Sequence, residues 1–127
     1  MQTPGLHHVV LTVSNFDRTQ AFYRDLLGFD VQRVDYEGGS LMYFALGDIS
    51  IYFVKHAQTP PEDAFSEIRL GLDHLSFKAT NEAELQALSD KLVAAGVNTK
   101  GMETFATGNK YIAFRDPDNI QLEYWLD

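Results

Sequence analysis

The chain repeats itself, and each copy opens with a histidine in the same local frame. The first copy reads Leu6-His7-His8-Val9-Val10-Leu11 and the second Leu72-Asp73-His74-Leu75-Ser76-Phe77. Each is followed by a helix-patterned stretch that stops at a glycine, Gly28 in the first and Gly96 in the second. A duplication constrains the fold more than any single motif, because whatever one copy builds the other must build too.

Within the first copy, residues 6–13 alternate in polarity as a strand does. His7, Val9, Leu11 and Val13 are expected on the helix-facing side, and His8, Val10 and Thr12 on the other. Ser14-Asn15 supplies an N-cap, and Phe16, Ala21, Phe22, Leu26 and Leu27 form a helical apolar face. Three strands are expected at about 29–36, 40–46 and 49–55, with turns at Gly38-Gly39 and Gly47-Asp48. The second copy repeats this order. A strand over 72–79 precedes a helix capped by Asn81, whose expected buried stripe is Leu85, Leu88, Leu92 and Val93. A short strand near Val97–Lys100 follows. The last two strands, 110–115 and 120–126, are joined at Asp116-Pro117-Asp118-Asn119.

The expected fold is therefore α+β. Two tandem βαβββ modules form an eight-stranded curved mixed sheet with helices on one face and a concave ligand cup on the other. Module 1 covers about 6–56 and module 2 about 72–127. The connection, 57–71, contains Pro60-Pro61 and has room for one short helical turn. At 127 residues the chain is read as a single domain spanning 1–127.

Strand parity selects the cup-facing residues. In the strand after residue 72, Leu75, Phe77 and Ala79 lie under the helix, which turns His74, Ser76 and Lys78 to the cup. In the last strand Ile120, Leu122 and Tyr124 form the apolar face, which leaves Gln121, Glu123 and Trp125 on the other. With His8, this gives two imidazoles and one carboxylate pointing the same way. That set suits zinc, iron, manganese, nickel or cobalt, and three protein ligands leave positions open for catalysis. His7 is expected to be structural. Tyr52, Tyr111 and Trp125 are candidates for an aromatic wall, Lys78 and Arg115 for polarising a substrate oxygen, and Gln121 and Ser50 for further polar contacts. Arg33, Tyr43 and His56 are placed near the rim.

Composition removes several classes. The chain has no cysteine, which excludes disulfides, thiolate metal sites and cysteine nucleophiles and fits a cytoplasmic location. A net charge of −8 argues against nucleic acid as a partner. No apolar run approaches the ~20 residues that span a bilayer, and the N-terminal residues lack the pattern of a secretory signal.

Three segments resemble the vicinal oxygen chelate superfamily: Leu6–Val13, Ala21–Phe29 and Phe114–Glu123. This is the group of glyoxalase I, bleomycin-resistance proteins, fosfomycin-resistance enzymes, methylmalonyl-CoA epimerase and extradiol dioxygenases. The resemblance covers nearly the whole chain. It implies paired modules, often completed across a homodimer, with a divalent metal in the cup. The chain departs from several members. Aligning Gly47–Tyr52 with Asp118–Glu123 puts Tyr52 where glyoxalase I has a fourth ligand and the epimerase a glutamine. Ala113 stands where fosfomycin thiol transferases and extradiol dioxygenases carry a tyrosine. The 108–110 region offers no upstream histidine of the dioxygenase kind, and Asp127 comes too soon after Glu123 for the basic residue of the fosfomycin enzymes.

The resulting expectation is a metal-dependent, glyoxalase-like enzyme acting on a small oxygen-bearing substrate by metal-stabilised anion chemistry, as lyase, isomerase or transferase. His8, His74 and Glu123 are the metal ligands, and Glu123 or metal-bound water is the base. The alternatives are a metal-free ligand-sequestering protein of the bleomycin-resistance type and an extradiol-type dioxygenase.

Overall fold

Asn15 and Asn81 start the two helices in the same way. Each has extended backbone, and its side-chain oxygen accepts the N–H three residues on, from Arg18 and Glu84 respectively, at 2.9 Å. The computed structural model describes residues 2–127. Helix α1 covers Phe16–Gln20 and widens into a π-helical stretch at Ala21–Leu26; helix α2 covers Glu82–Ala94. Both end at the expected glycines, where Gly28 N–H donates to the Arg24 carbonyl and Gly96 N–H to that of Val93.

The first unit runs to Pro61 and the second is Glu62–Asp127. Strands β1 (His8–Thr12), β2 (Gln32–Tyr36), β3 (Gly39–Leu46) and β4 (Ile49–Val54) form a sheet of order β1-β4-β3-β2. Strands β5 (Leu75–Lys78), β6 (Thr99–Thr104), β7 (Lys110–Arg115) and β8 (Gln121–Leu126) form one of order β5-β8-β7-β6. In each, the first strand runs parallel to the fourth and the other pairs are antiparallel. The duplication is thus a structural one. All eight expected strands are present, and hydrogen bonding groups them as two four-stranded mixed sheets, because the last strand of each module pairs back onto its own first.

Each sheet buries one face. In the first unit Met42, Phe44, Ile51 and Phe53 are buried with Tyr23, whose ring centroid lies 4.7 Å from that of Phe53. Phe29 stacks on Phe44 at 4.1 Å. The expected helical face needs correcting: Ala21 is exposed, and Phe16, Thr19 and Tyr23 are the buried positions. Tyr23 sits at helical spacing from Phe16 and its ring is large and apolar, so it displaces the smaller alanine. His7 is also corrected. It precedes β1, is exposed, and its Nδ1 lies 2.7 Å from Nδ1 of His8.

In the second unit Phe77, Ile112, Phe114 and Leu122 are buried along with Leu85 and Leu92 of α2. Val93 is not part of that stripe; it is 58% exposed. Ser89 takes the buried position, and its Oγ accepts the Met102 N–H at 2.9 Å. This bond belongs to a bulge in β6, which is longer and later than expected. Thr99 Oγ1 donates to the Ala113 carbonyl at 2.7 Å and accepts Gly101 N–H at 3.1 Å. The connection holds only turns and bends, with no helical turn among the described residues. Its later part is fastened inside the second unit: Phe65 N–H donates to the Asp118 carbonyl at 2.9 Å, and Asn119 Nδ2 returns a bond to the Phe65 carbonyl at 3.0 Å.

Gly101 has φ +74°, and a Cβ there would lie 2.9 Å from Ser89 Oγ. Gly101→Ala is expected to lower the unfolding free energy by about 1–3 kcal/mol, read as a shift of the urea midpoint. Gly108→Ala, with φ +90° and open space around it, should cost less; the difference isolates the close approach to α2.

Candidate metal centre

In the second unit the ladder itself aims the side chains. Ser76 pairs with Glu123 across β5 and β8, and Ala113 pairs with Glu123 across β7 and β8. Since Phe77 and Leu122 are buried beneath α2, Ser76, Gln121, Glu123 and Trp125 face the opposite way. His74 sits one residue before β5, next to the position facing Gln121.

His74 is held between two carboxylates. Its Nδ1 lies 2.6 Å from Asp73 Oδ1, and its Nε2 lies 3.5 Å from Glu123 Oε2. A carboxylate only accepts, so Nδ1 donates to Asp73, which leaves Nε2 on the Glu123 side. A carboxylate on the far nitrogen is the usual support for a metal-binding imidazole. Two ligand atoms about 2.1 Å from one ion at tetrahedral angles stand roughly 3.4 Å apart. The His74–Glu123 pair therefore fits two ligands of one divalent ion. Among the described residues, no group of three or more His, Asp or Glu is gathered into a metal-holding set.

The first unit repeats the frame with His7, Ser50 and Tyr52 in the places of Asp73, Gln121 and Glu123. His8 pairs with Ser50 across β1 and β4, as His74 stands beside Gln121, so Tyr52 occupies the place of Glu123. The His8 ring meets Tyr52 edge-on at 5.4 Å, and Tyr52 stacks on Tyr43 at 5.3 Å. With Nδ1 of His8 engaged by His7, Nε2 is the nitrogen left for a ligand role.

The other expected contact residues separate into groups. Tyr111 and Trp125 stack at 5.1 Å and 24°, with Phe105 edge-on to Trp125 at 5.3 Å. Burial pushes the Tyr111 phenol up, as does Glu103, which accepts its hydrogen bond; Glu123 adds to the effect. Gln121 lines a hollow with Thr99, Glu103, Ala113 and Arg115. Lys78 is 81% exposed and lies 3.4 Å from Asp127. Arg115 is already engaged: both its terminal nitrogens donate to Glu67 at 2.9 Å, and Nη1 also reaches the Asn119 carbonyl at 3.2 Å.

Arg33 and His56 are not beside Tyr43. Arg33 pairs with Met42 in the ladder and so lies on the helix-covered side, and Arg33 and His56 line a hollow with Phe16. Sequence reasoning missed Asp73, Glu103, Phe105 and Glu67. Only Asp73, adjacent to the histidine it holds, left a signal in the sequence. The others reach the site through β6, the loop after it, and the connection.

The sequence profile of the glyoxalase/bleomycin resistance protein/dioxygenase superfamily matches residues 5–124. The chain belongs to this superfamily. A glyoxylase/bleomycin resistance protein/dioxygenase domain from Frankia sp. EAN1pec is 33% identical, with a TM-score of 0.85 over 98% of this chain and 93% of that one. The metallothiol transferase FosB of Staphylococcus epidermidis is 30% identical over 94% of this chain and 81% of its own length. The uncharacterized protein YwkD of Bacillus subtilis is 28% identical over 98% of both. The superfamily's paired four-stranded modules are those described above.

The Glu67–Arg115 pair makes a pH prediction for this superfamily member. Hydrogen bonding from Arg115 holds the Glu67 carboxyl down at about 2, against an ordinary 4.5. A carboxyl whose pKa is lower in the folded chain stabilises the fold fully above its unfolded pKa, and that contribution is lost as pH falls through the folded one. Stability owed to this pair should therefore fade between pH 4.5 and about 2. Glu67→Gln should flatten that part of an acid unfolding curve. The pair is partly open to solvent, so salt should weaken the effect.

Proposed function

We propose that the chain is a metal-dependent enzyme of the glyoxalase-like group, acting on a small oxygen-bearing substrate, with His8, His74 and Glu123 as ligands of one divalent ion. The observation that carries this reading is the clamped imidazole: Asp73 on Nδ1 and Glu123 3.5 Å from Nε2 of His74. A lone structural histidine needs no carboxylate on each nitrogen. The superfamily and the relative named as a metallothiol transferase support it at a coarser level.

A divalent ion at this position would polarise a substrate oxygen and stabilise the anion that develops on it. The chain's own groups do the rest. Asp73 fixes the tautomer and the ring plane of His74. Glu123, with its side chain only 14% exposed, is the carboxylate available to take a proton from substrate. The Tyr111–Trp125 stack offers a flat apolar wall, and Gln121 offers a carboxamide that can both donate and accept. Lys78, paired with Asp127 at the surface, can exchange that partner for an anionic group, whereas Arg115 acts through its lock on Glu67. Lyase, isomerase and transferase steps all fit these roles, and no choice among the three follows from them. We read the working form as a cytoplasmic homodimer, supported by the cysteine-free composition and the superfamily resemblance. The described residues include no helix long and apolar enough to cross a membrane.

The acidic aromatic wall gives the sequestration reading its one support, since Glu103 beside Tyr111 and Trp125 suits a cationic guest. Metal content separates the two. Protein purified without chelator is expected to carry about one divalent ion per chain. His74→Ala and Glu123→Gln should lose it while circular dichroism shows the fold retained. Asp73→Asn should bind it about 10–100-fold more weakly. Metal-free protein whose binding of a cationic ligand is saturable and unchanged by EDTA would favour sequestration.

A further inference from the structure

A second hollow, of about 540 Å³, opens in the first unit. Phe16, Arg33, Tyr36, Lys55 and His56 line it together with the Gly38-Gly39 turn. Its Arg33 lies on the opposite side of the first sheet from His8. Arg33 stands opposite the fully buried Met42, whereas the Tyr52 ring that meets His8 stacks on Tyr43, the next residue along β3 and of opposite parity.

The hollow concentrates positive charge in an acidic chain of net charge −8. The Arg33 guanidinium carbon is 5.3 Å from the Phe16 ring centroid, and Lys55 Nζ is 5.9 Å from the same centroid. Two like charges against one aromatic ring repel each other. Nearby carboxylates compensate them in part: Asp35 accepts the hydroxyl of Ser40, which also lines the hollow. Arg33 pairs with Asp17 at 3.2 Å, an aspartate whose side chain is 90% exposed. Lys55 has no carboxylate within ion-pair distance among the described residues. An exposed pair of this kind contributes little and exchanges readily for a better anion.

We propose that this hollow binds a small organic phosphate. The dianion is held between the Arg33 fork and the Lys55 ammonium. Tyr36, half exposed at the mouth, offers a ring for an apolar or aromatic body, and His56 contributes a ring N–H at the rim. The volume lies within the range of small-molecule sites. No part of this depends on the metal centre, none of whose residues lines the hollow.

Phenyl phosphate, titrated into isotope-labelled protein, is the test. Saturable amide shifts are expected at Arg33, Gly38, Gly39, Lys55 and His56, with residues 62–127 unmoved. Arg33→Gln and Lys55→Gln should each weaken binding by about tenfold or more. Asp17→Asn, which releases Arg33, should tighten it. Both cationic side chains are on the surface, and an unchanged spectrum elsewhere verifies folding of each variant. Absence of saturable shifts, equal affinity for neutral benzyl alcohol, or binding indifferent to all three substitutions would overturn the proposal.

Discussion

Burial of one face of each sheet beneath its own helix governs the rest of the structure. Because strand side chains alternate, covering Ile51 and Phe53 commits Ser50 and Tyr52 to the other face. The same burial of Phe77 and Leu122 commits Ser76, Gln121 and Glu123. A slip of one residue in the second ladder would send Glu123 into the apolar core. The placement of functional groups is thus a by-product of hydrophobic burial, and the core fixes it.

The two modules use one frame for different ends. His8 and His74 occupy equivalent positions, but Tyr52 faces the first and Glu123 the second. A phenol that stacks on Tyr43 belongs to an aromatic patch; the carboxylate of the second unit stands 3.5 Å from an imidazole that Asp73 supports. Asymmetry within the duplication concentrates polar support in the second unit. There Asp73 orients His74, Glu103 accepts the Tyr111 hydroxyl, and Glu67 engages Arg115.

Much of the molecule was legible in the amino-acid order. Alternation located the eight strands, the two asparagines marked the helix starts, and glycines marked their ends. The duplication predicted that strand order in one half would match the other. Failures were local and have physical causes. Tyr23 and Ser89 are buried although polarity scales place them outside, because one is mostly ring and the other satisfies a backbone N–H. The bulge in β6 has no periodic signature, so alternation reveals only part of that strand.

By itself the sequence determined the fold class, the superfamily, and the parity that puts His74 and Glu123 on one face, because these depend on period and position along the chain. Only the tertiary structure decided which charges are engaged and which are available. Arg115 proved to be locked to Glu67, 48 residues away in the chain. Arg33 and Lys55 proved to share one phenylalanine ring, and the Asp73–His74–Glu123 arrangement set the imidazole's orientation. Such pairings join residues distant in sequence, and their strength depends on separation and solvent exposure, neither of which a linear pattern encodes.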